Sequence, residues 1–308
     1  VISGPTASGK TRLAVELALR HGGEVVSADS MQVYRRMDIG TAKPTPEEMR
    51  GIPHHMLDVA DPEEDFSVAR YVELAAPCVD DILARGKLPI VAGGTGLYLD
   101  SLLSGRTFAP FSPDGGLRAR LEARFDALGG EAMLGELAAA DPEAAARLHP
   151  NDRKRIVRAL EVFQQTGKTI SQHNRETRAL PLRYDALTLS LAFQRREDMW
   201  ARIDRRVDEM MAAGLAEEVR ALLDSGVPVR CTAMQAIGYK EMAAALRGGG
   251  DVCAAAEEIK LRSRQYAKRQ LTWFRRTEGA KWLFWGPEPD FEAACRTSTK
   301  YLEEFGLV

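Results

Sequence analysis

An eight-residue run near the start of the chain has the residue types and spacing that bind phosphate. Gly4-Pro5-Thr6-Ala7-Ser8-Gly9-Lys10-Thr11 matches the pattern GxxxxGKS/T of a phosphate-binding loop, or P-loop. Small residues let backbone N–H groups surround phosphate oxygens, and the N-terminus of the helix that follows favours negative charge. Lys10 adds a positive charge, and the Thr11 hydroxyl is suited to bind Mg²⁺. The run predicts a site for a phosphate chain beside a metal ion.

Asp29 is the second group suited to chemistry, and it follows the short predicted strand at residues 24–27. P-loop kinases and nucleoside triphosphatases hold their metal with a carboxylate from an apolar strand. The apolar residues 88–92 instead run into Gly93-Gly94-Thr95-Gly96, which disfavours those classes. Three roles stay open for Asp29: a metal-side ligand, a general base that accepts a proton from a nucleophile, or an Asx-type turn.

An α/β pattern would bring these residues together. The apolar pattern predicts three buried strands and a helix, at residues 1–2, 24–27, 88–92 and 11–20. Strands that alternate with helices predict a parallel sheet, and ligands of such sheets bind beyond the carboxyl ends of the strands. The P-loop and the loops of Asp29 and Thr95 follow strand ends, so we expect them to form one site. Thr95 could donate its hydroxyl to a phosphate oxygen there, or only form a turn.

The character of the sequence changes near residue 110. Turn-forming residues mark a boundary, at Pro110, Pro113, Asp114, Gly115 and Gly116. Amphipathic helices rich in Ala and Leu follow, and residues 182–193 then resemble a strand because Leu187, Leu189 and Leu191 alternate. Long helices are predicted over 198–223 and 252–276. We therefore predict an α/β fold, with a P-loop NTPase-like core at 1–109 and 182–308 and an all-helical insertion domain at 110–181.

The composition of the 308-residue chain is that of a globular protein with a core, because 45% of it is hydrophobic and 28% charged. A net charge of −2 gives no overall bias toward nucleic acid. The four cysteines lack C-x-x-C spacing, which disfavours a zinc site or a disulfide framework. We find no signal peptide and no apolar run of about 20 residues. We expect a cytoplasmic protein, and a few residues before Val1, since the chain lacks an initial Met.

Seven short motifs occur in the order in which one enzyme family carries them. They are Gly4 to Thr11, Asp29-Ser30-Met31-Gln32-Val33-Tyr34, Asp38-Ile39-Gly40-Thr41-Ala42-Lys43-Pro44, Pro53-His54-His55, Gly93-Gly94-Thr95-Gly96-Leu97-Tyr98, His149-Pro150-Asn151-Asp152 and Lys268-Arg269-Gln270-Leu271-Thr272-Trp273-Phe274-Arg275. With them the chain resembles the tRNA dimethylallyltransferase (tRNA isopentenyltransferase) family over essentially its whole length. It lacks Cys/His pairing for the zinc finger of eukaryotic members, so the resemblance is to the bacterial type.

The resemblance implies a prenyl transfer. The family moves a dimethylallyl group from dimethylallyl diphosphate to N6 of the adenosine adjacent (3′) to the anticodon in tRNA, and diphosphate leaves. Asp29 would be the general base, Thr95 would contact the bridging oxygen, and Mg²⁺ would lie near Thr11. Arg206 matches the family's catalytic arginine, although a solvated helix with charge pairs is the alternative for it and for Arg202. The diphosphate ligands would be Gly4, Thr6, Ala7, Ser8, Gly9, Lys10, Thr11 and Arg202.

Binding of tRNA is the second implication, because the target adenosine must leave its stack and be held by the protein. Two basic stretches fit this need, Arg153 to Arg158 and residues 260–276, of which the second has seven basic residues and no acidic one. A solvated helix is the alternative for the second stretch. The implied tRNA contacts are Asp29, Ser30, Met31, Gln32, Arg153, Lys154, Arg155, Ile156, Val157, Gln235, Gly238, Tyr239, Lys240, Lys268, Arg269, Gln270, Trp273 and Arg275.

Three other functions compete with this prediction. Adenylate isopentenyltransferases of the cytokinin type prenylate free AMP or ATP and share the P-loop and the aspartate, but they need no large RNA-binding insertion. A P-loop kinase or nucleoside triphosphatase lacks support for the reason given above. An RNA-binding protein with a dead site would be expected to lose Lys10, Thr11 or Asp29, and all three are present. One chain holds all the implied site residues, so we expect a monomer.

Overall fold

Six parallel strands form one sheet in the computed structural model, which describes residues 1–105, 108 and 116–308. Their order across the sheet is β3-β2-β4-β1-β5-β6, and each neighbouring pair is parallel. The strands are β1 Ile2–Ser3, β2 Gly23–Ser27, β3 His54–His55, β4 Leu88–Gly93, β5 Leu189–Phe193 and β6 Lys281–Trp285. This confirms the predicted α/β fold with a central parallel sheet.

Helices connect and cover these strands. They are α1 Lys10–His21, α2 Pro46–Met49, α3 Val68–Ala84, α4 Gly96–Ser104, α5 Gly116–Ala140, α6 Pro142–Ala145, α7 Arg153–Thr166, α8 Ile170–Arg178, α9 Arg196–Ala212, α10 Leu215–Asp224, α11 Tyr239–Gly248, α12 Val252–Phe274 and α13 Phe291–Phe305. Among the described residues, none of these helices is long and apolar enough to cross a membrane.

The chain divides into two compact units, residues 1–103 with 185–308 and residues 104–184. The first unit contains the sheet. The second contains α5 to α8 and has its own apolar core, which includes Leu121, Met133, Leu137, Ile156 and Leu160. The sequence predicts the start of an insertion domain at residues 110–115, and these lie outside the described residues.

Helix α1 packs on the sheet directly after the P-loop. Its apolar residues Leu13, Ala14, Leu17 and Ala18 recur at helical spacing, so one face is buried in the core of the first unit. The helix ends where Gly22 adopts a left-handed conformation with φ 64°, which glycine does at little cost. The boundaries of this helix agree with those predicted to within one residue.

Two predicted elements are wrong in their extent. The strand predicted over 182–193 begins only at Leu189, and Leu182 is 68% exposed. All five residues of β5, which lies between β1 and β6, are buried. The alternation of leucines therefore does not distinguish a buried face from an exposed one. The helix predicted over 198–223 is two helices, α9 and α10, because Gly214 between them has φ 100°.

A buried carboxylate ties the edge of the sheet together. Glu24 of β2 is 3% exposed, and its carboxylate accepts hydrogen bonds from Arg85 and Lys87 and contacts the His55 ring. The Arg85 guanidinium, followed by Lys87, holds the pKa of Glu24 well below its ordinary range. The carboxylate therefore links three cationic or polar side chains that enclose it.

Glu24→Gln should lower the free energy of unfolding by about 2 kcal/mol, the scale of a lost charge-assisted hydrogen bond. The folded-state pKa is depressed, so this stabilisation is complete above the ordinary glutamate pKa of about 4.3 and is lost as the pH falls further. Urea unfolding at pH 7 and at pH 4 measures both effects. Glu73→Gln, at an exposed pair with Arg70, is the control and should change stability far less. Equal losses from the two substitutions would contradict the prediction.

Candidate active site

The P-loop joins β1 to α1 and closes on itself. Ala7 and Gly9 have φ values of 60° and 80°, so the backbone turns twice through the left-handed region that glycine adopts most readily. The Ser8 hydroxyl donates to the Pro5 carbonyl at 2.8 Å, and Lys10 Nζ donates to the same carbonyl at 2.7 Å. These bonds hold the ammonium group of Lys10 over the loop, as phosphate binding requires.

Side chains from three distant elements hold the backbone of the P-loop. Gln270 of α12 accepts a hydrogen bond from the Thr6 N–H at 2.8 Å, and Trp285 of β6 donates to the Ser8 carbonyl at 2.8 Å. Arg202 of α9 donates from Nε to the Ala7 carbonyl at 3.3 Å. The loop is therefore fixed by the folded core rather than by its own sequence alone.

A cleft of about 1140 Å³ lies in front of the loop, in the first unit. Its walls come from the P-loop and the start of α1, the loop after β2, residues 38–45, and helices α9 and α12. The predicted site residues that line it are Thr6, Ala7, Ser8, Gly9, Lys10, Thr11, Asp29, Ser30, Met31, Gln32, Arg202, Arg206, Gln235, Arg269 and Gln270. Gly4 lies behind the loop, where a Cβ would come within 2.9 Å of the Leu191 carbonyl oxygen.

Asp29 faces the cleft from a turn after β2. Its Oδ1 accepts hydrogen bonds from the backbone N–H groups of Met31 at 2.9 Å and Gln32 at 3.4 Å. This is the Asx-type turn that the sequence left open. The turn occupies Oδ1, and no hydrogen bond to Oδ2 is found among residues 1–105, 108 and 116–308. The turn therefore orients the carboxylate and leaves one oxygen for a substrate.

Thr95 connects the Asp29 loop with the loop after β4. Its Oγ1 accepts a hydrogen bond from the Ser30 N–H at 3.1 Å and lies 3.3 Å from the Ser30 hydroxyl. Thr95 is not one of the residues that line the cleft, but its hydroxyl is joined to the turn of Asp29, which does line it. The predicted convergence of the three loops is thus present in the structure.

Two cationic side chains, those of Lys10 and Arg206, lie beside the P-loop. Burial, and then the nearby Arg206, lower the pKa of Lys10 to about 7, while Asp29 acts in the opposite direction. Burial also lowers the pKa of Arg206, and Asp29 again opposes it. Arg206 Nη1 lies 3.5 Å from the Thr6 hydroxyl. This part of the cleft therefore brings two partly buried basic side chains together and favours an anion.

Two residues of α12, Gln270 and Tyr266, have roles in the site beyond those predicted, since the resemblance implies Gln270 only as a tRNA contact. Gln270 is 6% exposed and bridges the P-loop to the loop after β4, because its Nε2 donates to the Gly94 carbonyl at 2.9 Å. A Cβ on Gly94 would come within 2.3 Å of that nitrogen, so only glycine fits. Tyr266, one turn earlier, lines the cleft, and burial raises its pKa to about 12. Polar residues at i and i+4 on a buried helix face were the available signal.

Three residues predicted to contact tRNA are buried, so the prediction is wrong for their side chains. Ile156 and Val157 are 0% and 2% exposed in the core of the second unit, and Tyr239 is 0% exposed in the first. Their side chains cannot touch RNA in this arrangement. Gln270 is likewise engaged by the protein on both sides of its amide. Each of these helices carries core residues among its surface ones.

Other predicted RNA contacts are exposed. Lys154, Arg155, Lys240, Lys268 and Arg275 lie on the surface, whereas Gly238, which directly precedes α11 with a φ of 101°, is buried. Arg153 is partly engaged, because it pairs with Asp126 and covers the Phe125 ring. Trp273 is 39% exposed and donates from Nε1 to Asp100 at 3.0 Å.

The basic stretch 260–276 is less free than its sequence suggests. Carboxylates of α9 and of the preceding turn of α12 pair with its first three cations, as Lys260–Asp208, Lys260–Glu257, Arg262–Glu258 and Arg264–Asp204. No ion pair of Lys268, Arg269, Arg275 or Arg276 is found within the part of the chain that the structure describes. The absence of acids inside the stretch was therefore a poor guide for its first half, since the acids come from elsewhere.

The fold and the cleft define a P-loop protein whose phosphate site faces a carboxylate on the loop after β2. The IPP transferase family matches residues 32–277, and the chain belongs to this family.

Named relatives agree with this membership. The tRNA dimethylallyltransferase of Acetivibrio thermocellus is 46% identical over 307 residues, which are 100% of this chain and 98% of that protein. The solved tRNA isopentenylpyrophosphate transferase from Bacillus halodurans is 42% identical with a TM-score of 0.73, over 98% of this chain and 94% of that one. A eukaryotic dimethylallyltransferase acting on tRNA has a TM-score of 0.80 at 30% identity, over 98% of this chain and 76% of that one.

Binding of inorganic pyrophosphate should weaken as the pH rises above about 7, by up to tenfold per pH unit. Lys10 is already charged below its pKa of about 7, but above it the protein must take up a proton, because a bound anion favours the ammonium form. Calorimetric titration between pH 6.5 and 9 measures the effect. Lys10→Met is the control, because the titration of pyrophosphate itself affects binding to both proteins equally. Parallel pH profiles for the two proteins would contradict the prediction.

Proposed function

We propose that this protein transfers a dimethylallyl group from dimethylallyl diphosphate to N6 of the adenosine adjacent (3′) to the anticodon in tRNA. The observation that carries the proposal is the cleft, where Lys10 and Arg206 stand against the P-loop and Asp29 faces them. Membership of the IPP transferase family and relatives named tRNA dimethylallyltransferases support it. The same names favour tRNA over a free adenine nucleotide as the acceptor.

The transfer requires one bond to break and one to form. The bond between C1 of the dimethylallyl group and the diphosphate oxygen breaks, and its electron pair leaves with the diphosphate. The lone pair of N6 forms the new bond to C1, and the proton lost from N6 goes to Asp29. An exocyclic adenine amine is a weak nucleophile, since its lone pair is delocalised, so a carboxylate that accepts its proton assists the attack.

Stabilisation of the leaving group is the larger task of the site. The departing diphosphate gains negative charge, which Lys10 and Arg206 and the N–H groups of the P-loop would meet from positions fixed before the reaction. Thr95 is placed in this proposal at the bridging oxygen, where its hydroxyl donates. Removing one donor of this kind typically costs on the order of 10²–10³ in rate.

Mg²⁺ fits the site as a partner of the diphosphate. Among the described residues, no cluster of three His, Cys, Asp or Glu side chains could hold a metal. Mg²⁺ in phosphate sites uses few protein ligands and completes its shell with phosphate oxygens and water. The Thr11 hydroxyl, which lines the cleft at the start of α1, would be such a ligand. The ion would neutralise charge on the diphosphate.

Exposed cations of each unit would hold the tRNA. Our proposed phosphate contacts are Lys154 and Arg155 of α7 in the second unit, and Lys268, Arg269 and Arg275 in and directly after α12 in the first. A monomer and a cytoplasmic location remain part of the proposal. All the residues of the proposed reaction come from one chain, and tRNA is a cytoplasmic substrate.

Incubation with labelled dimethylallyl diphosphate, Mg²⁺ and either tRNA or AMP tests the function directly. We expect label in tRNA, at the adenosine next to the anticodon, and none in AMP. Label in AMP alone would identify an adenylate isopentenyltransferase. Label in neither acceptor, from protein that binds pyrophosphate, would overturn the proposed transfer.

Asp29→Asn should reduce transfer to tRNA by at least about 10²-fold, the lower range for loss of a general base. Asparagine can still accept the turn hydrogen bonds of Met31 and Gln32 through Oδ1, so the loop should keep its shape. Single-turnover transfer measures the chemistry, and pyrophosphate binding is the control and should remain within a few-fold of wild type. Near-normal turnover would rule out the general-base role.

Lys154→Ala combined with Arg155→Ala should weaken tRNA binding and flatten its salt dependence. Each lost phosphate contact with a single strand reduces the slope of log affinity against log salt by about 0.7. Filter binding between 50 and 300 mM salt measures this slope. Lys168→Ala, whose ammonium pairs with Glu176 in the same unit, is the matched control. A double variant with an unchanged slope would move the RNA surface elsewhere.

A further inference from the structure

A wall of the cleft formed by residues 38–43 has no role in the reaction described above. These residues line the cleft beside Asp29 and belong to one of the motifs found in the sequence. Their backbone is bound by a residue outside every motif. Glu218 of α10 accepts hydrogen bonds from the N–H groups of Asp38 and Ile39 at 2.8 Å each and of Gly40 at 3.1 Å.

A fourth donor completes the set around Glu218. The Tyr239 hydroxyl donates to Glu218 Oε1 at 2.5 Å, so each of the two carboxylate oxygens accepts two hydrogen bonds. Hydrogen bonds to a charged acceptor are about twice as strong as neutral ones. The fit is close, because a Cβ on Gly40 would lie 2.4 Å from the Tyr239 ring. Burial, with Glu218 beside it, raises the pKa of Tyr239, which keeps the hydroxyl a donor.

The bound segment reaches the acceptor side of the cleft through Gln32. The Gln32 amide donates to the carbonyls of Thr41 at 3.3 Å and Ala42 at 3.2 Å. Gln32 also belongs to the turn of Asp29, since its own N–H donates to Asp29 Oδ1. Lys43 closes the far end of the segment with hydrogen bonds to Asp38 and to the Tyr34 carbonyl.

We propose that Glu218 is a positioning residue for the acceptor side of the site. It holds residues 38–40, which place 41–42 against Gln32 and thereby fix the turn that carries Asp29. The inference rests on the proposed transfer to adenosine. It also gives the motif at residues 38–44 a purpose, because its first three N–H groups bind Glu218.

Glu218→Gln should lower kcat for transfer to tRNA on the order of 10²-fold, the scale for a catalytic group misplaced by about 1 Å. The amide keeps the shape of the carboxylate but turns a donor toward one pair of N–H or O–H groups. KM for dimethylallyl diphosphate and affinity for pyrophosphate should stay within twofold, because the P-loop has its own supports. Glu217→Gln, on the exposed face of the same helix, should behave as wild type. An unchanged kcat, or an equal loss of pyrophosphate affinity, would overturn the proposal.

A double variant tests whether Glu218 acts through Gln32. If it does, Glu218→Gln combined with Gln32→Leu should lose about as much activity as the more damaged single variant. Losses that multiply would overturn this path. Tyr239→Phe removes one of the four hydrogen-bond donors to Glu218 and should reduce kcat less than Glu218→Gln does. A larger reduction of kcat by Tyr239→Phe would contradict the central role of Glu218. Wild-type protein that modifies no tRNA would refute the proposed function itself. Active wild-type protein with an equally active Glu218→Gln variant would refute only the positioning role of Glu218.

Discussion

The site depends on holding two half-buried cationic side chains, Lys10 and Arg206, beside the P-loop. Burial lowers the pKa of Lys10 and of Arg206, and Arg206 lowers that of Lys10 further. Such a pair is unfavourable alone, and Asp29 relieves it only in part from across the cleft. An anion between the cations relieves it more, and in surroundings of low dielectric constant the attraction is stronger than in water. The repulsion between the two cations and the preference of the cleft for an anion therefore have one origin.

The surrounding core binds the loops of the cleft through their backbone groups rather than through their side chains. Gln270, Trp285 and Arg202 bind N–H and carbonyl groups of the P-loop, and Glu218 binds three N–H groups of the opposite wall. Small residues suit these loops because bulky ones would block the approach, as at Gly94. The reacting side chains can then project from a frame whose position the core sets.

Local patterns predicted what local physics determines. The P-loop, α1 and the strands before Asp29 and Thr95 follow from short apolar runs and glycines, and they are present. The partners of Gln270, Tyr266 and Glu218 lie elsewhere in the fold, so helical spacing could indicate a shared face but not these contacts. The same limit explains the errors: acids of α9 pair with cations of α12, and Tyr239 faces the core although the family resemblance implies that it contacts tRNA. Resemblance transfers positions, not the direction in which a side chain points.

The supports of the P-loop also have a consequence for the order of folding. The loop occupies residues 4–11, yet its partners Gln270 and Trp285 lie 264 and 277 residues from Thr6 and Ser8 along the chain. Contacts over such separations form late, after the cost of closing long loops has been met. The P-loop is therefore among the last segments to take its final shape. A folding chain cannot complete this loop before α12 and β6 have formed.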